Sequence, residues 1–287
     1  MIIISDDPSW WPIINSQFLF SYSIVACCSI VMYDWALKFG QEVDLFWRHR
    51  WSLMTFLYLS MRYIGILFSI NIMLEYLPAV SLTDMVSNIV SQVQTWVGVV
   101  LNFMLCVIMI NRLHVMYQRS RKILIFLIVT SLTLTIAIGV ITAIFSSRSS
   151  AEEAIASGFH LCGDYGYDSL LLSVTWMLAT VWELLALCLA AWIALKNFRE
   201  RKRRPTELIV ADYFTLLIKS HLCYFVGFVV VSCFNLSFAL SPKLSNSSIF
   251  GGFVQIAFFL QMFVLGPHLI LIVRQHHAKL VALSTDT

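Results

Sequence analysis

VGVVLNFMLCVIMINRLHVMYQRSRKIL, residues 97–124, sets fifteen uncharged residues against an abrupt basic run. Arg112 closes the apolar part, and Arg119, Arg121 and Lys122 follow within four positions. A helix rises ~1.5 Å per residue, so about 20 apolar residues cross ~30 Å of hydrocarbon. With the apolar positions that precede it, the stretch meets that length and ends in cations, as a membrane helix does at a cytosolic interface. Arg112 admits two readings: the switch at the end of the third span of a seven-helix receptor, or the basic fringe that anchors a helix end.

The rest of the chain repeats this pattern. Of 287 residues, 59% are hydrophobic and 12% charged, where a soluble domain carries about 25% charged. Mean hydropathy is +0.82, and no soluble core hides that much apolar surface. The sequence predicts an all-α integral membrane protein, a bundle of seven transmembrane helices. Its spans run over roughly 15–37, 52–74, 88–111, 123–145, 169–195, 212–238 and 248–273. Residues 1–14 form a short outer segment, 275–287 a short cytosolic tail, and 146–168 the one long connection. MIIISDDPSWW has no basic n-region, so the first helix is expected to serve as its own targeting signal.

Loop charge sets the orientation. One side holds Lys38, Arg48 and Arg50, then Arg112, Arg119, Arg121 and Lys122. The cluster Lys196 to Arg204, which includes Arg201, Arg203 and Arg204, lies on the same side, as do Arg274 and Lys279. The other side holds Arg148 and Lys243. Fifteen of 19 basic residues against two place the N-terminus outside and the C-terminus in the cytosol, and only an odd number of spans preserves that alternation. Trp10 and Trp11 outside, with Trp47 and Trp51 inside, suit the interfacial aromatic belts.

Two basic residues remain, Arg62 and Lys219, both within spans, where charge is costly and normally faces the bundle. Arg62 shares a helical stripe with Tyr58, Gly65 and Ser69. Glu183, on a face with Trp176 and Thr180, lies at similar depth. The expectation is an ion pair Arg62–Glu183, with separate solvation of each by water or backbone carbonyls as the alternative. Asp34 is the candidate partner of Lys219, or of Lys38 one turn on. Ser91, Thr95, Gly98 and Asn102 form a polar stripe in span three, and Gln261 and His268 stand in span seven. Asn102, Gln261, His268, Lys219 and Asp34 are thus the candidate polar cavity. Pro267 removes a backbone donor and is expected to kink span seven.

Several chemistries are disfavoured. A retinal Schiff base needs a lysine in the last span, and span seven has none. A metal hydrolase needs His and Asp gathered at one depth, yet only His221 and His268 lie within spans. No CxxC or Cys/His metal spacing occurs. No catalytic residue, metal or cofactor is therefore expected, and no nucleic-acid partner. Cys162 is the lone cysteine of an outer loop. Asn235-Leu-Ser lies within a span, and Asn246-Ser-Ser lies in an outer loop close to the membrane.

YDWALKFGQEVDLFWRHRWSLMTFLYLSMRYIG, residues 33–65, resembles a family of basidiomycete seven-span membrane proteins marked by an N-terminal domain of unknown function. The shared pattern is an aspartate ending span one, Glu-Val-acid, an aromatic-basic patch, a Trp-Ser-Leu entry and Arg-Tyr in span two. NRLHVMYQRSRKIL, VWELL, CYFVGFVVVSCFN and LGPHLILIVRQHHA are similar to later parts of that pattern. The family often has arginine where His268 follows Gly-Pro. It also commonly has a cysteine near the top of span three that would pair with the fourth-loop cysteine; VSNIVSQVQTW offers Cys162 no such partner. The resemblance implies architecture more than activity.

These features lead to a receptor-like protein sensing a ligand or state at the outer side, in the plasma membrane rather than an endomembrane. The lipid bilayer is the expected surround, with a cytosolic signalling partner. A transporter or channel using a mid-membrane polar path is the alternative, and a membrane scaffold or assembly factor the third. The acidic residue that a rhodopsin-type switch needs before its arginine is Asn111 here, so Arg112 reads mainly as a topology anchor.

Overall fold

The computed structural model describes residues 3–5, 11–47, 52–76, 84–117, 120–148, 150–156, 159–165, 169–201, 226–237, 240–241, 247–268 and 270–271. Helix α1 spans Trp11–Glu42 and continues as a π-helical turn over Val43–Trp47. Helices α2 (Leu53–Tyr76), α3 (Asp84–Met116), α4 (Arg121–Arg148) and α5 (Ser169–Arg201) follow. Next come α6, Val226–Ser237, and α7, Ser248–Phe259, which widens into π-helix over Leu260–Leu265.

Hydrocarbon leaves no water for backbone N–H and C=O groups, so a spanning segment must satisfy them internally, and helix is the available answer. Hydroxyls on these helices do the same. Ser29 donates to Val25 O at 2.8 Å, and Thr130 to Phe126 O at 2.8 Å, which lets a polar side chain face lipid. Two starts carry serine caps. Thr55 N–H donates to Ser52 Oγ at 3.3 Å ahead of α2, and Phe250 N–H to Ser247 Oγ at 3.4 Å ahead of α7.

Among the described residues six helices are long and apolar enough to cross a membrane: α1, α2, α3, α4, α5 and α7. The remaining expected span, the sixth at 212–238, is met among the described residues only by the shorter apolar helix α6, and its earlier residues, Lys219 among them, lie outside the described set. The helices overrun the expected spans: α1 passes residue 37 to end at Glu42, and α3 begins at Asp84.

The long connection 146–168 is not plain loop. Ser150–Ala156 (β2) pairs antiparallel with Phe159–Tyr165 (β3), and Ile3–Ser5 (β1) adds parallel to β2. This small sheet leaves α4 and enters α5, so it marks one end of the bundle, called here the sheet end. It also packs on α3.

From α1 to α5 each helix packs on the next, and α1 closes on α7. Between lipid-exposed helices there is little hydrophobic drive, so close approach through small residues does the work. A Cβ on Gly65 would stand 2.5 Å from Phe263 Cδ1, and one on Gly252 would run into Ser23. Away from the sheet end α3 and α5 bury apolar side chains: Leu105, Ile108, Met109 and Leu113 of α3, with Ala186, Ala190 and Ile193 of α5. The outside is apolar as well. Leu67, Ile136 and Trp192 are each about two-thirds exposed, which is costly in water and favourable in lipid.

Candidate functional site

Two polar sites occupy the bundle. The first lies between α1 and α2, away from the sheet end. Arg62 is 4% exposed, and its Nε stands 3.0 Å from Glu42 Oε2. Its NH1 lies 3.8 Å from Asp34 Oδ2 and donates to the Tyr58 hydroxyl at 2.8 Å. Its NH2 donates to the carbonyls of Asp34 and Trp35 at 3.1 and 3.0 Å. Glu42, fully buried, also accepts from the Tyr63 hydroxyl at 3.1 Å and from Trp47 Nε1 at 3.5 Å. Lys38 holds the other oxygen of Asp34 at 2.5 Å. Two cations and two carboxylates balance, as charge within a membrane must. Phe46, in the π-helical turn after α1, stacks on Tyr58 with ring centroids 4.2 Å apart.

The expected Arg62–Glu183 ion pair is therefore corrected. Arg62 takes Glu42 and Asp34, because α1 runs on beyond residue 37 and brings a second carboxylate under it. Of the alternatives for Asp34, the structure shows Lys38. The expected stripe is present: Tyr58, Arg62, Gly65 and Ser69 are all buried on α2.

Glu183 belongs to the second site, a cavity of about 360 Å³. Glu75 and Tyr76, in the last turn of α2, mark its rim at the sheet end. Its α3 wall is Ser91, Gln94, Thr95, Gly98 and Asn102, down to Leu105. That run of fifteen residues gives a depth of roughly 20 Å. Thr142 of α4, Thr175 and Trp176 of α5 and Asn235 of α6 add further polar edges, and Phe258 of α7 adds an aromatic face. At the floor the Ser232 hydroxyl donates to Glu183 Oε2, and Gln261 Nε2 donates to Glu183 Oε1 at 3.3 Å. Glu183 is 8% exposed and Gln261 5%. Gln261 Oε1 and Gln94 Oε1 are buried and accept no hydrogen bond among the described residues.

The π-helical segment explains the place of Gln261. Pro267 has no N–H for the Phe263 carbonyl, and its ring needs room there. The helix widens over Leu260–Leu265 immediately ahead, with Gly266 N–H bonding Gln261 O. Such π turns often accompany functional positions.

The expected cavity set divides. Asn102 and Gln261 line the cavity, and Asp34 belongs to the α1–α2 cluster. His268 is outside the cavity lining, near enough to Lys38 and Asp34 to feel their charges. Lys219 lies outside the described residues. Of the residues expected to anchor the cytosolic side, Arg121 and Lys122 are exposed. Arg112 is 9% exposed, held within the bundle rather than on its rim. Arg201 ends α5, and Arg119, Arg203 and Arg204 fall outside the described residues. Asn235 is buried in α6, which keeps its sequon from any glycosylation machinery; Asn246 lies outside the described residues.

Six long apolar helices and buried charge satisfied within the bundle define a multi-pass helical membrane protein. Residues 22–67 match the model of DUF6533, a family of unknown function. No curated protein matches the chain.

Proposed function

We propose that the chain is a receptor-like, seven-span protein of the plasma membrane, with its N-terminus outside, that binds a small molecule in the cavity of its outer half. It is not an enzyme in this reading. The supporting observation is the cavity's shape: polar side chains from α2 to α7 surround it from the sheet end down to Glu183 and Gln261. Beneath them α3 and α5 meet through apolar side chains. The loop-charge bias assigns the sheet end to the outside, so the cavity is entered there and blocked below. A cytosolic signalling partner would meet the basic end, near Arg112, Arg121 and Lys122.

A carrier is the second reading, favoured by the Arg62 cluster lying close to the cavity floor. Met61, next to Arg62, and Leu105, on the cavity floor, would each stand 3.3 Å from a Cβ on Gly266. One rearrangement of these contacts would join the two polar sites.

Cysteine accessibility separates the two. Thr175→Cys, in an otherwise unreactive background, should react with membrane-impermeant thiol reagents applied outside cells and not with reagents applied to inverted vesicles. Labelling from both sides would establish a carrier, and labelling from the inside alone would reverse the orientation.

A further inference from the structure

We infer that the cavity is a binding site for a small organic ammonium ion, its cationic end seated between Glu183 and Gln261. The inference rests on the outer-pocket reading above and names its ligand class. The cavity is acidic and acceptor-rich: Glu183 closes its floor, Glu75 stands at its rim, and among the described residues no Lys or Arg lines it. Glu183 has two hydrogen-bond donors, Ser232 and Gln261, and no basic side chain forms an ion pair with it among the described residues. Lys219 lies outside the described residues.

A carboxylate shielded from water without a counter-charge is costly, and two neutral donors offset only part of that cost. Gln261 Oε1, beside it on the floor, and Gln94 Oε1, higher on the wall, are buried acceptors with no donor. A ligand that fits must bring positive charge and N–H donors together, which describes an ammonium group. The body of the ligand meets Trp176 and Phe258, whose rings stand 6.0 Å apart, edge to face, in the cavity wall. Aromatic faces favour a cation or an aryl group alike. A volume of about 360 Å³ lies within the range of small-molecule sites, ~300–1,000 Å³.

Three probes of nearly equal shape test this: phenethylammonium, phenylacetate and 2-phenylethanol, titrated against the full chain in lipid nanodiscs. Charge-assisted hydrogen bonds predict roughly ten- to hundredfold tighter binding of the cation than of the neutral alcohol, with the anion weakest. Glu183→Gln, which keeps shape and hydrogen bonding, should erase that preference. Equal binding of all three, no binding of the cation, or the same effect from sodium chloride alone would overturn the proposal. The wild-type comparison decides even if the variant fails to fold. If the cation preference is absent while Thr175→Cys still reacts from outside only, the ligand class is wrong and the outer pocket stands. If Thr175→Cys reacts from inside, the outer-pocket reading fails whatever the probes do.

Discussion

Arg62 is the residue whose removal should cost the fold most, and the structure says which partner is left stranded. Arg62→Leu takes the positive neighbour from Glu42, which is fully buried and keeps only the Tyr63 and Trp47 donors. It also leaves the Tyr58 hydroxyl without its donor. Asp34 is not stranded, because Lys38 holds it. Breaking a buried pair by removing one member costs about 3–5 kcal/mol, a shift of two to three decades or more in the unfolding equilibrium. Replacing both members with apolar side chains is often near neutral, so Arg62→Leu with Glu42→Leu should recover most of the loss. That implies a coupling energy on the order of 3 kcal/mol between these positions. Arg62→Leu combined with Glu183→Leu should simply add, since the two residues have separate partners. Reversible unfolding in mixed micelles, followed by tryptophan fluorescence, measures both cycles. Coupling near zero for residues 62 and 42, or substantial coupling for 62 and 183, would refute this assignment.

Gly65→Ala should destabilise by about 1–3 kcal/mol through overpacking, because its Cβ would lie 2.5 Å from the Phe263 ring; adding Phe263→Leu should return most of the thermal midpoint. Tyr117→Phe removes the hydroxyl that donates to Leu189 O at 2.9 Å and should cost about 1 kcal/mol in the same unfolding assay. Burial pushes the Tyr117 phenol up from its usual value. The folded state therefore holds that proton longer than the unfolded state, and this stabilisation is present below pH ~10 and declines above it. Tyr117→Phe should make the alkaline loss of stability shallower. Trp192→Leu, on a side chain 68% exposed to lipid, should leave the midpoint within about 0.5 kcal/mol of wild type.

The spans were legible because hydrocarbon thickness imposes a length and composition that few other constraints imitate. The stripe Tyr58–Arg62–Gly65–Ser69 was legible for a similar reason, since helical spacing puts those residues on one face. The partner of Arg62 was not read, although a signal was present. Asp34, Lys38 and Glu42 stand at successive four-residue steps, so one face of a longer α1 carries all three. Ending the span at residue 37 removed Glu42 from consideration. The cavity was partly legible through Asn102, Gln261 and the α3 stripe. Its other contributors, such as Ser232 and Thr142, come from helices where a single hydroxyl is indistinguishable from helix-packing glue. The β2–β3 hairpin left no trace in the hydropathy pattern, because AEEAIASGFH lacks the strict alternation of a half-buried strand.

The two polar sites differ in a way that bears on what the matched segment means. Within residues 22–67 fall Asp34, Lys38, Glu42, Phe46, Trp47, Tyr58, Arg62 and Tyr63, every side chain named in the α1–α2 cluster. That cluster is electrostatically complete: each carboxylate has a cation, and the charges cancel. Bringing in an anion or cation from outside would unbalance it, so its physical role is to lock two helices together at a set register. Every residue of the cavity comes after the match, beginning at Glu75, and the cavity lacks a counter-charge among the described residues. A site that completes itself stabilises a fold, and a site short of a cation has use for a ligand. The match thus covers the clamp that sets α1 against α2, and the cavity proposed to hold a ligand lies wholly in residues that follow it.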